Sequence, residues 1–296
     1  MTINQTSSSI ISIYNGISDT PEWDAGGYHF TRVPEYEQRI KQLPLLEGSK
    51  GGEQYQAQEG QHVVTFHATQ NAASVQKSMW FEGGDSLNDI LALWSFAGGF
   101  EVINSRSKNH CPTANECGHE IADSLSIAEL VSEAYRRTKD ESVDRLVKSA
   151  LLTYLEVRHV HPLQLKATLL ASVIECLDQF HNTDGCNRNF KKHKFIKNLF
   201  FELVKIWDVS ITCDQIEALV DSLYLFRNKF LHSGIHPYDN YTNIKIGGIT
   251  TTVGRVVIAS RMLTKLAIQK ELNFPMNISG SIAITIREFF RSGSFM

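Results

Sequence analysis

From Ser124 to the C-terminus, apolar residues recur at three- and four-residue steps, and this spacing limits the fold more than any other feature of the sequence. Side chains spaced in this way share one face of an α-helix. The spacing predicts helices over residues 126–139, 141–159, 162–181, 191–207, 212–233 and 251–272, and a last short element over 282–290. Five or six helices of this length form a bundle. A hairpin through Gly247 and Gly248 is expected in the turn-rich connection before the last long helix.

The first part of the chain has a different pattern, in which short apolar segments alternate with glycine-rich and polar ones. β-Branched and aromatic residues in such segments favour strands. We expect strands at Ile10–Ile13, His62–His67, Met79–Phe81 and Phe100–Ile103, and helices over residues 35–46 and 85–96. The predicted fold class is therefore α+β. A mixed, strand-containing domain over residues 1–118, for recognition of substrate or partner, precedes an all-α helical bundle over residues 119–296.

Composition and charge narrow the class of protein. The net charge of −3 argues against a protein that coats polyanions in general. Five cysteines, an odd number in a chain of 296 residues, do not suggest a disulfide framework and are typical of a reducing compartment. The N-terminus lacks the basic segment and apolar core of a secretory signal, and no apolar run reaches transmembrane length. We expect a cytoplasmic protein without a membrane partner.

The predicted helix that ends near Gly234 carries the polar groups of most chemical interest. Thr212 and Gln215 form a capping box at its start, and glycine is a common residue just after a helix end. Its apolar stripe consists of Ile216, Leu219, Val220, Leu223, Phe226 and Phe230. Arg227, Asn228 and His232 emerge together at the end of this otherwise apolar helix.

These three residue types suit one reaction. An imidazole can transfer a proton near neutral pH, and a guanidinium can bind a phosphate and stabilise its developing charge. Asn228 and His232 are four residues apart and share a helix face, so the amide could hydrogen-bond the ring and orient it. RNA carries its own nucleophile in the 2′-hydroxyl. Cleavage of RNA by these groups would therefore require no metal cofactor.

The motif Arg227-Asn228-Lys229-Phe230-Leu231-His232 resembles the R-N-x-x-x-H motif of HEPN domains, and is most similar to that of the Apea-like HEPN group. The segment from Ser86 to Phe96 is similar to the N-terminal region of Apea-like proteins. The resemblance implies an all-helical domain that acts as a metal-independent endoribonuclease in phage defence or as a toxin. It also implies a homodimer in which two motifs meet, and products with 2′,3′-cyclic phosphate and 5′-hydroxyl ends.

The resemblance assigns roles to individual residues and leaves alternatives open. Arg227 would hold the scissile phosphate, His232 would act as general acid or base, and Asn228 would orient His232. Glu175 matches an acidic position of Apea-like HEPN domains and would orient Arg227 through an ion pair, with a surface carboxylate as the alternative interpretation. Some HEPN domains are catalytically inactive and bind RNA, a nucleotide or a partner protein. A third alternative is a toxin silenced by a nucleotidyltransferase partner, an antitoxin that modifies the motif region.

A second copy of the motif pattern occurs at Arg188-Asn189 and His193. It follows a turn-like stretch, without a preceding apolar helix or a closing glycine, and we therefore interpret it as a decoy. Around it lies a basic cluster that would guide RNA towards the motif or would simply be a solvated helix face. The candidate RNA-binding residues of this cluster are Arg188, Lys191, Lys192, Lys194 and Lys197.

One stretch concentrates side chains that bind metals. Cys111, Cys117 and His119 could hold a structural zinc ion, with a fourth ligand such as His62 or His67 from elsewhere in the chain. The spacing matches no compact zinc-finger pattern. The commoner meaning of such a stretch is a loop between domains with reduced thiols.

Overall fold

The computed structural model describes thirteen stretches of the chain, which together contain both strands and helices and place the protein in the α+β class. The described residues are 8–14, 22–34, 63–71, 75–79, 84–98, 102–104, 127–139, 145–160, 163–181, 193–205, 210–233, 241–273 and 280–293. The chain divides into two compact units, Met1–Asp140 and Glu141–Met296. None of the helices within the described residues is both long and apolar enough to cross a membrane.

The first unit contains a five-stranded antiparallel sheet. Its strands are β1 (Ser8–Tyr14), β2 (Glu22–Ala25), β3 (Tyr28–Arg32), β4 (Val63–Gln70) and β5 (Val102–Asn104), in the order β2-β3-β4-β1-β5. Three of these were predicted near their observed positions. The β2–β3 hairpin was missed. Gly26 and Gly27 join its strands with φ angles of 55° and 85°, the left-handed values that a two-residue hairpin turn requires.

Two further predictions concern the segment before the first helix. Met79 is described and lies in no strand, and the nearest pairing is an isolated bridge between Lys77 and Asp85. The strand predicted over Met79–Phe81 is therefore wrong at its first residue, and its last two residues lie outside the described ones. The predicted helix over residues 35–46 also lies outside them.

Aromatic side chains form the core of the first unit. Trp23 and Phe30 stack with ring centroids 4.2 Å apart, and Trp94 meets both of these rings edge-on. Phe66 of β4 packs on the edge of Trp94 at 5.1 Å. Trp94 belongs to helix α1 (Ser86–Gly98), and all four rings are buried. Burial of aromatic area on this scale is the main stabilising contribution to a small unit.

Helix α2 (Ile127–Lys139) belongs to the first unit, and the domain boundary falls at Asp140 rather than at 118. Its buried face of Val131, Ala134 and Tyr135 packs with α1 and β2, and Ser132 donates a hydrogen bond to the Asp24 carbonyl. The amphipathic pattern correctly predicted a helix with one buried face. The pattern could not indicate the partner of that face, so the helix was assigned to the wrong domain.

The second unit is a helical bundle with one added hairpin. Its helices are α3 (Arg145–His159), α4 (Leu163–His181), α5 (Lys194–Lys205), α6 (Cys213–Ser233), α7 (Val253–Glu271) and α8 (Gly280–Ser292). Strands β6 (Asn243–Ile246) and β7 (Ile249–Thr252) pair as the predicted hairpin through Gly247 and Gly248. This unit is therefore not purely helical. A Cβ atom at Gly247 would lie 2.8 Å from the Gln215 Cα, so glycine lets the hairpin pack closely on α6.

Helix α7 is the centre of this bundle. It packs against α3, α4, α5, α6 and α8, and its buried residues occur all around the helix rather than on one stripe. Every residue from Met262 to Gln269 is buried, whereas Ile258 in the first half is 45% exposed, so the second half of α7 is the part enclosed by its neighbours. Helices α4 and α6 also pack directly on each other, and this contact brings residues 171–178 against the second half of α6.

Candidate active site

The capping box fixes the start of α6 as the sequence predicted. The Thr212 amide donates to Gln215 Oε1 at 3.0 Å, and the Gln215 amide donates to Thr212 Oγ1 at 3.3 Å. Gln215 also donates from Nε2 to the Phe290 carbonyl, which ties the helix start to α8. The apolar stripe of α6 is buried from Ile216 to Phe226. Burial of that stripe sets the rotation of α6, and Tyr224 and Arg227 consequently lie towards α4.

The expected ion pair between Arg227 and Glu175 is present. Arg227 Nη1 donates to Glu175 Oε1 at 2.7 Å, and the side chains are 25% and 32% exposed. The Arg227 Nε is buried and has no hydrogen-bond partner among the described residues. A buried donor without a partner is costly, and Nε itself is closed to solvent. Glu175 orients the guanidinium through Nη1, and the quarter of the side chain that stays exposed is the part a ligand could reach.

Asn228 and His232 lie on α6 as predicted, but the predicted hydrogen bond between these two described residues is not formed. Both side chains are exposed. Among the residues that the structure describes, no hydrogen bond joins the Asn228 amide to the His232 ring. The expectation that Asn228 orients His232 is therefore not met in this structure. Two exposed side chains four residues apart on a helix can both point into solvent, because nothing packs against them to select one rotamer.

Tyr224 lies between Arg227 and His193, the residue that directly precedes α5. Its hydroxyl donates to the Ala171 carbonyl at 3.2 Å, and the Arg227 Cζ lies 5.8 Å from its ring centroid. The His193 ring stacks on the Tyr224 ring with centroids 3.8 Å apart. Burial raises the pKa of the Tyr224 hydroxyl, and the carboxylates of Glu175 and Asp178 raise it further. The phenol is therefore neutral and acts as a hydrogen-bond donor.

His193, the histidine of the second motif copy, is held by Asp178. His193 Nδ1 and Asp178 Oδ2 are 2.7 Å apart, and the Ile196 amide donates to the other Asp178 oxygen at 2.9 Å. The Asp178 side chain is 2% exposed and that of His193 is 19% exposed. His193 has a left-handed φ of 57°. The sequence contained one signal for this site, the second motif copy, but no local pattern links residues 178 and 193.

Lys197 is also not part of an open basic surface. Its side chain is buried, and its Nζ lies 3.0 Å from Glu217 Oε1 and 2.9 Å from Asp221 Oδ1. Two carboxylates already neutralise this ammonium, so the prediction that Lys197 binds RNA phosphates is wrong. Lys194 is exposed as expected. Arg188, Lys191 and Lys192 lie outside the described residues, and their predicted role stays a prediction.

The structure does not test the predicted zinc site. Cys111, Cys117, His119 and His62 lie outside the described residues. Within the stretches that are described, no group of three or more histidine, cysteine, aspartate or glutamate side chains could hold a metal ion. His67 is described in β4 and is half-buried.

The residues that the structure brings together form one group, which we call the polar cluster: Glu175, Asp178, His193, Tyr224 and Arg227. Glu175 and Asp178 lie three residues apart on α4, so they share a helix face and hold Arg227 and His193 respectively. Only two of the five, Glu175 and Arg227, were among the residues predicted from the sequence for this site. Comparison with protein-family models, with curated proteins and with solved structures gives no match.

Proposed function

We propose that the protein is a metal-independent endoribonuclease of the HEPN type, acting on RNA in phage defence or as a toxin. The observation that carries the proposal is the state of Arg227 within the motif that ends at His232. Glu175 orients the guanidinium through Nη1, and the Arg227 side chain stays 25% exposed on the helix that carries the exposed Asn228 and His232. An arginine in this state is suited to bind a phosphate oxygen.

The reaction would be an in-line attack by the 2′-oxygen of RNA on the adjacent phosphorus. A bond forms between the 2′-oxygen and phosphorus, and the bond from phosphorus to the 5′-oxygen breaks. Arg227 stabilises the charge on the phosphate oxygens, and His232 transfers a proton. The products carry a 2′,3′-cyclic phosphate and a 5′-hydroxyl. Because Asn228 and His232 are exposed, a polymer could reach them without opening the bundle.

We further propose that two copies of the chain pair so that two motifs form one site. We also propose that the protein acts in the cytoplasm with an antitoxin or defence partner. The pairing and the partner follow from the resemblance to HEPN domains, in which one motif in each of two domains contributes to a shared site. The cytoplasmic location follows from the cysteine content.

A second candidate function is binding without cleavage. The observation that favours it is the missing hydrogen bond between Asn228 and His232 within the described residues, because an unoriented imidazole is a poor proton-transfer group. In this alternative the bundle binds RNA, a nucleotide or a partner protein through Arg227.

The two functions are separated by incubating purified protein with total RNA in the presence of EDTA and analysing the ends of the fragments. We expect cleavage with 2′,3′-cyclic phosphate and 5′-hydroxyl ends, and loss of cleavage on His232→Ala. Binding of RNA without fragments, at any protein concentration tried, would favour the binding module. Cleavage that EDTA abolishes would exclude the metal-independent mechanism.

A further inference from the structure

We propose that His193, oriented by Asp178, is a second catalytic acid–base residue of this site and acts on the RNA phosphate that Arg227 binds. This proposal rests on the proposed ribonuclease function. It assigns chemistry to the histidine of the second motif copy, which the sequence alone led us to set aside.

Asp178 orients the imidazole of His193. Asp178 contacts His193 at Nδ1, at 2.7 Å, which leaves Nε2 as the nitrogen able to accept or donate a proton. Nε2 has no hydrogen-bond partner among the described residues, and the side chain is 19% exposed. A carboxylate on one ring nitrogen fixes the tautomer and stabilises the imidazolium that forms during proton transfer. His193 thus has the partner that His232 lacks within the described part of the chain.

The Asp178 carboxylate is itself held in one orientation. One of its oxygens accepts from the Ile196 amide at 2.9 Å, the other contacts His193, and the carboxylate is almost fully buried. The ring is restrained on its face as well, because it stacks on Tyr224 with 14° between the planes. His193 keeps a left-handed backbone that is costly for a non-glycine residue, so its surroundings fix its position strongly. Such restraint is what a proton-transfer group needs.

His193 and Arg227 lie close to each other in the bundle. Both contact the same ring, with the His193 centroid at 3.8 Å and the Arg227 Cζ at 5.8 Å from the Tyr224 centroid. Lys197, one turn after His193, pairs with Glu217 and Asp221 and so holds α5 on α6. The bundle therefore brings an oriented imidazole and an oriented guanidinium to one place.

The reaction needs two proton transfers, and a second histidine supplies the second one. His193 Nε2 takes the proton of the 2′-hydroxyl as the bond from the 2′-oxygen to phosphorus forms. His232 gives a proton to the 5′-oxygen as its bond to phosphorus breaks. Exchange with water then returns both imidazoles to their starting states, so that no oxidant, reductant or metal takes part.

The test is the single-turnover rate of cleavage of a defined RNA in EDTA, measured from pH 5 to pH 9 for three variants. His193→Ala removes the imidazole. His193→Phe removes the nitrogens and keeps an aromatic ring stacked on Tyr224. This variant separates the loss of proton transfer from a loss of packing. His29→Ala is the matched control, because His29 Nδ1 lies 3.0 Å from Asp24 in an exposed pair of the first unit.

We expect both His193 variants to cleave at least about a hundredfold more slowly with unchanged RNA affinity, and His29→Ala to cleave at the wild-type rate. Added imidazole should restore part of the rate of His193→Ala, and one limb of the pH profile should disappear. Of the titratable groups nearby, Asp178 and Tyr224 contact His193, Glu175 and Arg227 belong to the same polar cluster, and Lys197 lies one turn further along α5. Because all five stay in place in the variants, the lost limb would belong to the histidine.

Two results would overturn the proposal. The first is wild-type cleavage by both His193 variants while Arg227→Ala is inactive, which would leave the ribonuclease function intact and reject His193 alone. The second is a slow His193→Ala variant that imidazole does not rescue and whose melting temperature has fallen, which would make the pair structural. If the wild-type protein cleaves no RNA, the proposed function fails and this inference fails with it.

Discussion

The His193 ring lies face to face with the Tyr224 ring, with 3.8 Å between the centroids and 14° between the planes. This contact joins the histidine of the second motif copy to the helix that carries the first copy, one turn before Arg227. It places the histidine of the second copy beside the helix turn that carries Arg227 of the first. The two copies are therefore better treated as contributors to one site than as alternatives.

We expect Glu175→Gln to lower the cleavage rate by about tenfold, or ~1.4 kcal/mol, because a neutral amide holds the guanidinium less firmly than a carboxylate does. The measurement is a double-mutant cycle with Arg227→Ala. If Glu175 acts only through Arg227, Glu175→Gln has no further effect once the arginine is absent. An equal loss in both backgrounds would show that Glu175 has a separate role.

We expect Lys197→Ala to lower the stability of the protein and Lys194→Ala to change its binding of RNA. Lys197→Ala leaves two carboxylates without their cation, and we expect a loss of about 1–2 kcal/mol in the free energy of unfolding. RNA affinity should keep its salt dependence. Lys194→Ala removes an exposed cation, so it should leave stability unchanged and reduce the salt slope of RNA binding by about one. Urea unfolding and binding titrations at several salt concentrations measure the two effects. A reduced salt slope for Lys197→Ala would restore it as an RNA contact.

The stability of the wild-type protein should fall relative to Tyr224→Phe above about pH 10. Burial first, and then the carboxylates of Glu175 and Asp178, raises the pKa of the Tyr224 hydroxyl above its value of 10.0 in the unfolded chain. The native state thus keeps a proton that the unfolded state loses, and stability decreases as pH rises through this range. Below pH 10 the phenylalanine variant should be less stable by about 1 kcal/mol, through the lost hydrogen bond to Ala171. Urea unfolding at pH 8, 10 and 11 follows the difference. A stability difference between the two proteins that does not change with pH would contradict a raised pKa of the Tyr224 hydroxyl.

We expect the protein to be a homodimer in solution, because the resemblance to HEPN domains implies a site shared by two motifs and each chain supplies one of the motif type at residues 227–232. Light scattering at micromolar concentration should report about twice the chain mass of 33.4 kDa. A strict monomer that still cleaves RNA would remove the argument for a shared site and would leave His193 and His232 of one chain as the two proton-transfer groups.

Local patterns predicted the features of the fold that depend on neighbouring residues. The capping box at Thr212, the hairpin through Gly247 and the ion pair of Arg227 with Glu175 all occur. The first two are set by chemistry within four residues. The third was suggested only by the resemblance to HEPN domains, since residues 52 positions apart have no local pattern in common.

The features that were missed depend on tertiary packing. In the sequence, Asp178 is indistinguishable from an ordinary polar residue of a helix. Its partners, the His193 ring and the Ile196 amide, come from the start of α5 and meet it only in the folded structure. Lys197 belongs to a run of basic residues, but packing of α5 on α6 places it between Glu217 and Asp221. The charge of a residue is visible in the sequence, and its partner is not. This difference explains why the predicted basic cluster fails at Lys197 and why the contact of His193 with Asp178 was not predicted.

The most direct test of the ribonuclease account is the single-turnover cleavage rate of Arg227→Ala in EDTA, compared with that of Arg291→Ala. Arg291 is an exposed arginine of the same unit whose side chain is 76% accessible and lies 3.7 Å from Glu288. The account predicts that Arg227→Ala folds and cleaves at least about a hundredfold more slowly, whereas Arg291→Ala cleaves at the wild-type rate. Cleavage at the wild-type rate by Arg227→Ala would contradict the account.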